Sequence, residues 1–149
     1  MLERSAMKNV RTVIHSPNGP NVPAPLAHAV RVDNLVYVSG LPPYYGDKPR
    51  QFVPDDFAAQ FRQSMENLKN VLKDAGSSLA DIVKMNVLVT RQEDFPVMNQ
   101  LYRTYFEEGN YPARTTTICG LGIPGVLIEL ECVALAREEL AASRETRAS

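Results

Sequence analysis

Apolar and polar positions along the chain switch between two periods, and the switches mark out the elements. "TVIH", Thr12 to His15, is a short β-branched run. "SPNGPNVPAP" follows, and its prolines and glycine block regular structure until Ala27. "HAVRVDNLVYVSG" then alternates. Ala29 and Arg31 fall on one side, Val30 and Val32 on the other, and Asp33-Asn34 sits at a turn, so the pattern predicts a hairpin ending at Gly40. "LPPYYGDKPRQFVP" cannot form an element, yet its paired tyrosines are too apolar for a plain linker; they fit either a cover over the sheet edge or the rim of a pocket.

From Asp55 the period becomes helical. Phe57, Phe61, Met65, Leu68, Leu72 and Ala75 form one stripe, Asp55 or Asp56 can cap its start, and Gly76 supplies a left-handed stop. Val83, Met85, Val87 and Val89 next alternate with Lys84, Asn86, Leu88 and Thr90, which predicts a strand. Phe95, Met98, Leu101, Tyr102, Tyr105 and Phe106 return to helical spacing, with Pro96 tolerable in the first turn. "ARTTTICG" and "VLIELECVALA" are two more strands joined by the Gly/Pro loop "LGIPG". "REELAASRETRAS", from Arg137, is charged and has no apolar stripe, and it reads as a frayed helix or a tail.

The order β, ββ, α, β, α, ββ with one-sided helices predicts an α+β fold: one mixed β-sheet with two helices packed on one face. The other sheet face keeps Val, Leu and Thr side chains that need cover, and an oligomer would supply it. The 149 residues make a single domain, with a core of about 10-136 and a charged tail over 137-149.

Charge and composition narrow the partners. With 16 basic and 17 acidic side chains, no basic block and no Trp, the chain offers no footprint for nucleic acid. No apolar run is long enough for a membrane span and the N-terminus lacks a secretory apolar region, so a cytoplasmic protein is expected. Cys119 and Cys132 lie in apolar runs without metal-ligand spacing and read as core, and two histidines give no metal site.

Five segments together cover about Val10 to Ala136: "NLVYVSG" (Asn34 to Gly40), "ENLKNVLKDAG" (Glu66 to Gly76), "DIVKMNVLVT" (Asp81 to Thr90), "NYPARTTT" (Asn110 to Thr117) and "LIELECVAL" (Leu127 to Leu135). In order and spacing the chain resembles the YjgF/RidA family of enamine and imine deaminases. The resemblance implies a chorismate-mutase-like (YjgF-like) fold and a homotrimer with intersubunit active sites. It also implies hydrolysis of reactive 2-imino and 2-enamino acids to 2-oxo acids and ammonia, with no metal or organic cofactor.

Matched position by position, the resemblance makes Arg114 the carboxylate-binding residue and Glu129 the residue that orients water. Ser39 and Gly40 line the cleft, and Asn99 ties helix to loop. Thr116 stands where the family often has cysteine, and its hydroxyl can serve as pocket wall. "APLAHA" replaces the family's "GPYSQA", so Leu26 and His28 stand where a tyrosine and a glutamine are usual.

The residue types suit the implied chemistry. A guanidinium grips a carboxylate through two parallel hydrogen bonds and stays charged. A partly desolvated glutamate can take a proton from water. Glu131 fits a solvent-facing strand acid better than Glu129 does. His28 is a candidate acid or base as well as a cleft residue. Gly40 allows close backbone approach and Ser39 can bond a ligand or its own turn. Leu26 and the Tyr44-Tyr45 loop leave room for a second substrate, a larger unsaturated amino acid of the 2-aminomuconate type. A non-catalytic metabolite-binding module and a ribonuclease are the further alternatives, the last opposed by the charge balance and the lack of a histidine pair.

Overall fold

The computed structural model describes residues 10–137. Six strands and two α-helices follow one another: β1 (Arg11–Ile14), β2 (Ala29–Val32), β3 (Leu35–Leu41), α1 (Phe57–Asp74), β4 (Ile82–Val89), α2 (Phe95–Arg103), β5 (Ala113–Ile118) and β6 (Ile128–Leu135). The strands form one sheet in the order β1-β2-β3-β6-β4-β5, antiparallel except for β4 and β5, which run parallel. This is the expected mixed sheet with its two helices. β5 and β6 are not paired despite the short loop between them, because β6 inserts between β3 and β4. The charged stretch after Arg137 lies outside the described residues.

Local chemistry sets the ends of the elements. Asp56 caps α1, its carboxylate accepting from the Ala59 N–H at 3.1 Å, and Gly76 at φ 81 ends the helix. The β2–β3 turn places Asp33 at φ 52, a left-handed angle that Asp tolerates. The predicted α1 stripe is buried throughout, from Phe57 to Ala75. It packs on Val36, Val38, Leu41, Met85, Val87, Ile128, Leu130 and Cys132 from the sheet. Full burial of each such side chain contributes about 1.5–3 kcal/mol.

Four expectations change. Val83 is 47% exposed because β4 carries a register shift between Ile82 and Lys84; Ile82 takes the core position and Val83 is the extra residue. Cys132 is buried as expected, whereas Cys119 lies just past β5 and is only half-buried. His28 precedes β2 rather than lying in it. Tyr105 and Phe106 lie beyond the end of α2, yet still pack on the core.

Among the described residues no helix covers the second sheet face. Alternation places Val13, Val30, Val32, Leu35, Tyr37, Val133 and Leu135 on it, in register across β1, β2, β3 and β6. Tyr37 is 48% exposed at the centre of this group. Among the described residues no helix is long and apolar enough to cross a membrane.

Gln60, fully buried on α1, ties three segments together. Its amide N–H groups donate to the Val53 and Gly125 carbonyls, and its oxygen accepts from the Leu127 N–H at 2.8 Å. Gln60→Leu keeps the volume but leaves those backbone groups unmatched, so stability should fall by about 2–4 kcal/mol. Urea unfolding measures the loss.

Candidate active site

Two clusters form, one on each face of the sheet. In register, Arg114 stands beside Met85, whose other neighbour is Cys132, and both of these are buried under the helices. Arg114 therefore points to the helix side. Thr116, beside Val87, points the same way.

The Arg114 guanidinium is held by uncharged partners. Its Nη2–H donates to Asn99 Oδ1 at 2.8 Å, Nη1 approaches the Met98 sulfur at 3.9 Å, and its central carbon lies 4.7 Å from the centroid of the Tyr102 ring. Asn99 and Tyr102 are three apart on α2 and so share a face. Cation–π attraction of about 0.5–2 kcal/mol favours this seat. Tyr102 is itself fixed by Phe106 and Tyr111, with ring centroids 4.8 and 6.3 Å away. Burial, partly opposed by the Arg114 charge, pushes its hydroxyl up to about 12. A 440 Å³ cavity opens beside this group, walled by Asn99, Tyr102, Arg103, Tyr111, Pro112 and Arg114.

Thr116 follows on the same side of β5. Its buried Oγ1 has no hydrogen-bond partner among the described residues. Burying a hydroxyl without a partner is costly, so this atom is suited to meet a ligand.

Glu129 and Glu131 lie on the opposite face. From Ile128 onward β6 alternates without interruption: Ile128, Leu130 and Cys132 are buried, and the two glutamates both point to the open face. Glu131 is half-buried and accepts from the Asn86 amide at 2.8 Å. Glu129 is half-buried too, and burial first, then the Glu131 charge, pushes its carboxyl above the usual glutamate range.

Gly40 stands directly against Glu129. A Cβ on Gly40 would lie 2.9 Å from the Glu129 carboxyl carbon and 3.0 Å from Oε2. The strand register shifts between Val38 and Leu41, so Ser39 and Gly40 form a bulge that brings backbone to the carboxylate. The Ser39 hydroxyl donates to the Ala27 carbonyl at 2.6 Å.

Leu26 and His28 share a separate concavity of 220 Å³, with Gly19, Pro20 and Val22 on its wall. Leu26 is 37% exposed. His28 has both ring nitrogens engaged: Nδ1 accepts from the Ser16 N–H at 2.9 Å, and Nε2 lies 2.8 Å from the Pro20 carbonyl, which fits the Nε2–H tautomer.

The structure thus joins Arg114, Thr116 and Asn99 on one side and Glu129, Gly40 and Ser39 on the other, with Leu26 and His28 in a third group. Tyr102 is missing from the residues picked by sequence, since its place in the apolar stripe of α2 reads as core. Its three-residue offset from Asn99 is the signal that could have placed it.

A single ancestry accounts for this arrangement. The family model described as Endoribonuclease L-PSP matches residues 16–136, and the chain belongs to that family, the YjgF/RidA proteins. It is 34% identical over 129 residues to the 2-iminobutanoate/2-iminopropanoate deaminase of Mus musculus, covering 85% of this chain and 92% of that one. It is 40% identical over 119 residues to the 3-aminoacrylate deaminase RutC of Acinetobacter baylyi, covering 79% and 93%. The crystal structure of the YjgF gene product from E. coli superposes with TM-score 0.75 at 34% identity, covering 85% and 99%.

The raised Glu129 carboxyl has a consequence for stability. A carboxyl whose folded pKa lies above its unfolded value favours folding fully below the unfolded pKa, and that contribution is lost as pH rises through the folded value. Glu129→Gln should therefore gain stability relative to the native chain as pH rises out of the ordinary glutamate range. Urea midpoints across that range test the sign, and Glu131→Gln should shrink the difference.

Proposed function

We propose that the protein hydrolyses small 2-imino and 2-enamino acids to 2-oxo acids and ammonia, as a homotrimer whose active sites lie between subunits. The observation that carries this reading is the Arg114 guanidinium, held by Asn99 and Tyr102 at a cavity wall with no acid paired to it among the described residues. The relatives named above act on, by their names, carboxylic acids bearing an imine or enamine group. That is the chemistry such an arginine can hold in place.

The reaction follows from the residues. Arg114 binds the substrate carboxylate and fixes the imine carbon. A water adds to that carbon. Glu129 takes a proton from the water and passes it to the nitrogen, giving a carbinolamine; it then takes the carbinolamine hydroxyl proton and delivers it to the same nitrogen as the C–N bond breaks, so ammonia leaves and the oxygen remains as the 2-oxo group. A carboxyl pushed above its usual range is the better proton acceptor for this cycle. The Thr116 hydroxyl and the backbone at Gly40 complete the wall, and Leu26 meets the substrate side chain. Ser39 and His28 hold the loop that carries Leu26 in place.

An assembly follows from the two faces. Arg114 lies under the helices and Glu129 on the open face, with β4 between their strands. Within one chain they serve different surfaces, so a site using both takes Arg114 from one subunit and Glu129 from the next. The apolar open face around Tyr37 gives the subunits something to bury. Three as the number of subunits comes from the family resemblance.

RNA cleavage, the activity in the family model's description, is the less favoured reading here. His28 has both ring nitrogens engaged within its loop and His15 is exposed just past β1, so neither imidazole is set up as half of an acid–base pair.

Semicarbazide trapping of imines made by an amino acid oxidase tests the reaction. The native chain should remove the trapped signal, and Arg114→Ala should lower kcat/KM at least about 100-fold. Saturable 2-oxo acid binding without imine loss would favour the non-catalytic reading instead. Mixing tests the assembly: inactive Arg114→Ala and Glu129→Gln chains, unfolded and refolded together, should regain up to about a quarter of native activity, since a quarter of random interfaces carry both native residues. No regain, with trimers formed, would place both residues in one subunit's site.

A further inference from the structure

Arg114 shares its cavity with a second guanidinium. Asn99 and Arg103 are four apart on α2, so Arg103 stands one turn beyond the residue that holds Arg114, on the same helix face. Both arginines wall the 440 Å³ cavity, and among the described residues no acid contributes to that wall. Arg103 is exposed and makes no hydrogen bond or ion pair among the described residues. Glu108 borders the adjoining hollow with Arg103, Phe106 and Tyr111, and it does not reach the Arg114 cavity wall.

A cation in the last turn of a helix is favoured by the helix dipole. That explains a positive charge at this end of α2. It does not explain why the charge faces a cavity whose other cation is the carboxylate anchor. Two like charges beside one hollow, with aromatic walls that lower the local dielectric, raise the concentration of dianions there and discriminate against monoanions.

Building on the deaminase reading, we infer that the preferred substrate is a 2-imino dicarboxylate. Arg114 holds the carboxylate beside the C=N bond, and Arg103 binds the distal carboxylate. Tyr111 shares the cavity wall with both arginines and stacks on Tyr102, which offers an apolar surface for the chain that joins the two acid groups. Arg103 is thus a specificity residue that acts through binding of the distal carboxylate.

The test uses the full chain, with imines generated from aspartate and glutamate against those from alanine and 2-aminobutanoate. In parallel, calorimetry follows binding of oxaloacetate and 2-oxoglutarate against pyruvate and 2-oxobutanoate. The native chain should favour the dicarboxylates about ten-fold or more in kcat/KM, as a second charged hydrogen-bonding contact implies, and the preference should weaken with added salt. Arg103→Gln should erase the preference through KM, and Arg103→Lys should restore part of it. An unchanged preference, or equal losses for both classes, would overturn the inference and assign Arg103 a structural role. So would a native chain that handles both classes equally, and in that case the deaminase reading stands. If no imine is hydrolysed but 2-oxo dicarboxylates bind in an Arg103-dependent way, the deaminase reading fails and the dicarboxylate site survives.

Discussion

The fold depends on the strict alternation of β6. Being the strand between β3 and β4, it must bury one side under α1, and Ile128, Leu130, Cys132 and Ala134 meet that demand. The intervening residues have only the other face to occupy, and two of them are glutamates. A pleated strand gives no intermediate choice, since a slip of one residue would bury both acids and expose the core row. The same rule acts on β5 through its pairing with β4, and it sends Arg114 and Thr116 under the helices. The two charges central to our reading are therefore parted by the sheet itself, and on that reading a site that uses both draws them from two subunits.

The surroundings of each charge differ in a way that suits the role we propose for it. Arg114 is held by an amide, a thioether and an aromatic face. A carboxylate in any of those places would fix the side chain equally well and would then compete with an incoming substrate carboxylate. Neutral partners orient the guanidinium and leave its charge available. Glu129 is treated in the opposite sense. It is partly desolvated and set beside another acid, which raises its proton affinity, and the bulge at Ser39–Gly40 brings backbone against it where any side chain would intrude.

Much of this was legible in the residue pattern. The α1 stripe, its Asp56 cap and Gly76 stop, the β2–β3 hairpin and the uncovered sheet face all follow from local periodicity and turn chemistry. Arg114 and Glu129 stood out as the residue types the implied reaction needs. What the pattern could not supply was register. Val83 looks like a core residue until the shift beside Ile82 turns it outward, and β5 and β6 look like neighbours until β6 is found elsewhere in the sheet. Tyr102 looks like any apolar helix position, because a ring that packs and a ring that seats a cation have the same sequence signature.

His28 shows how a departure from the family pattern can be structural. Its ring accepts from the Ser16 N–H and bonds the Pro20 carbonyl, while its own backbone carbonyl accepts from the Ser39 N–H at 3.0 Å. The Ser39 hydroxyl closes the same link through Ala27. The proline-rich loop is thereby fastened to the bulge that presents Gly40 to Glu129. Leu26 projects from the fastened loop, and none of these ties uses its side chain. The residue at position 26 can accordingly vary in size without loosening the bulge that stands against Glu129.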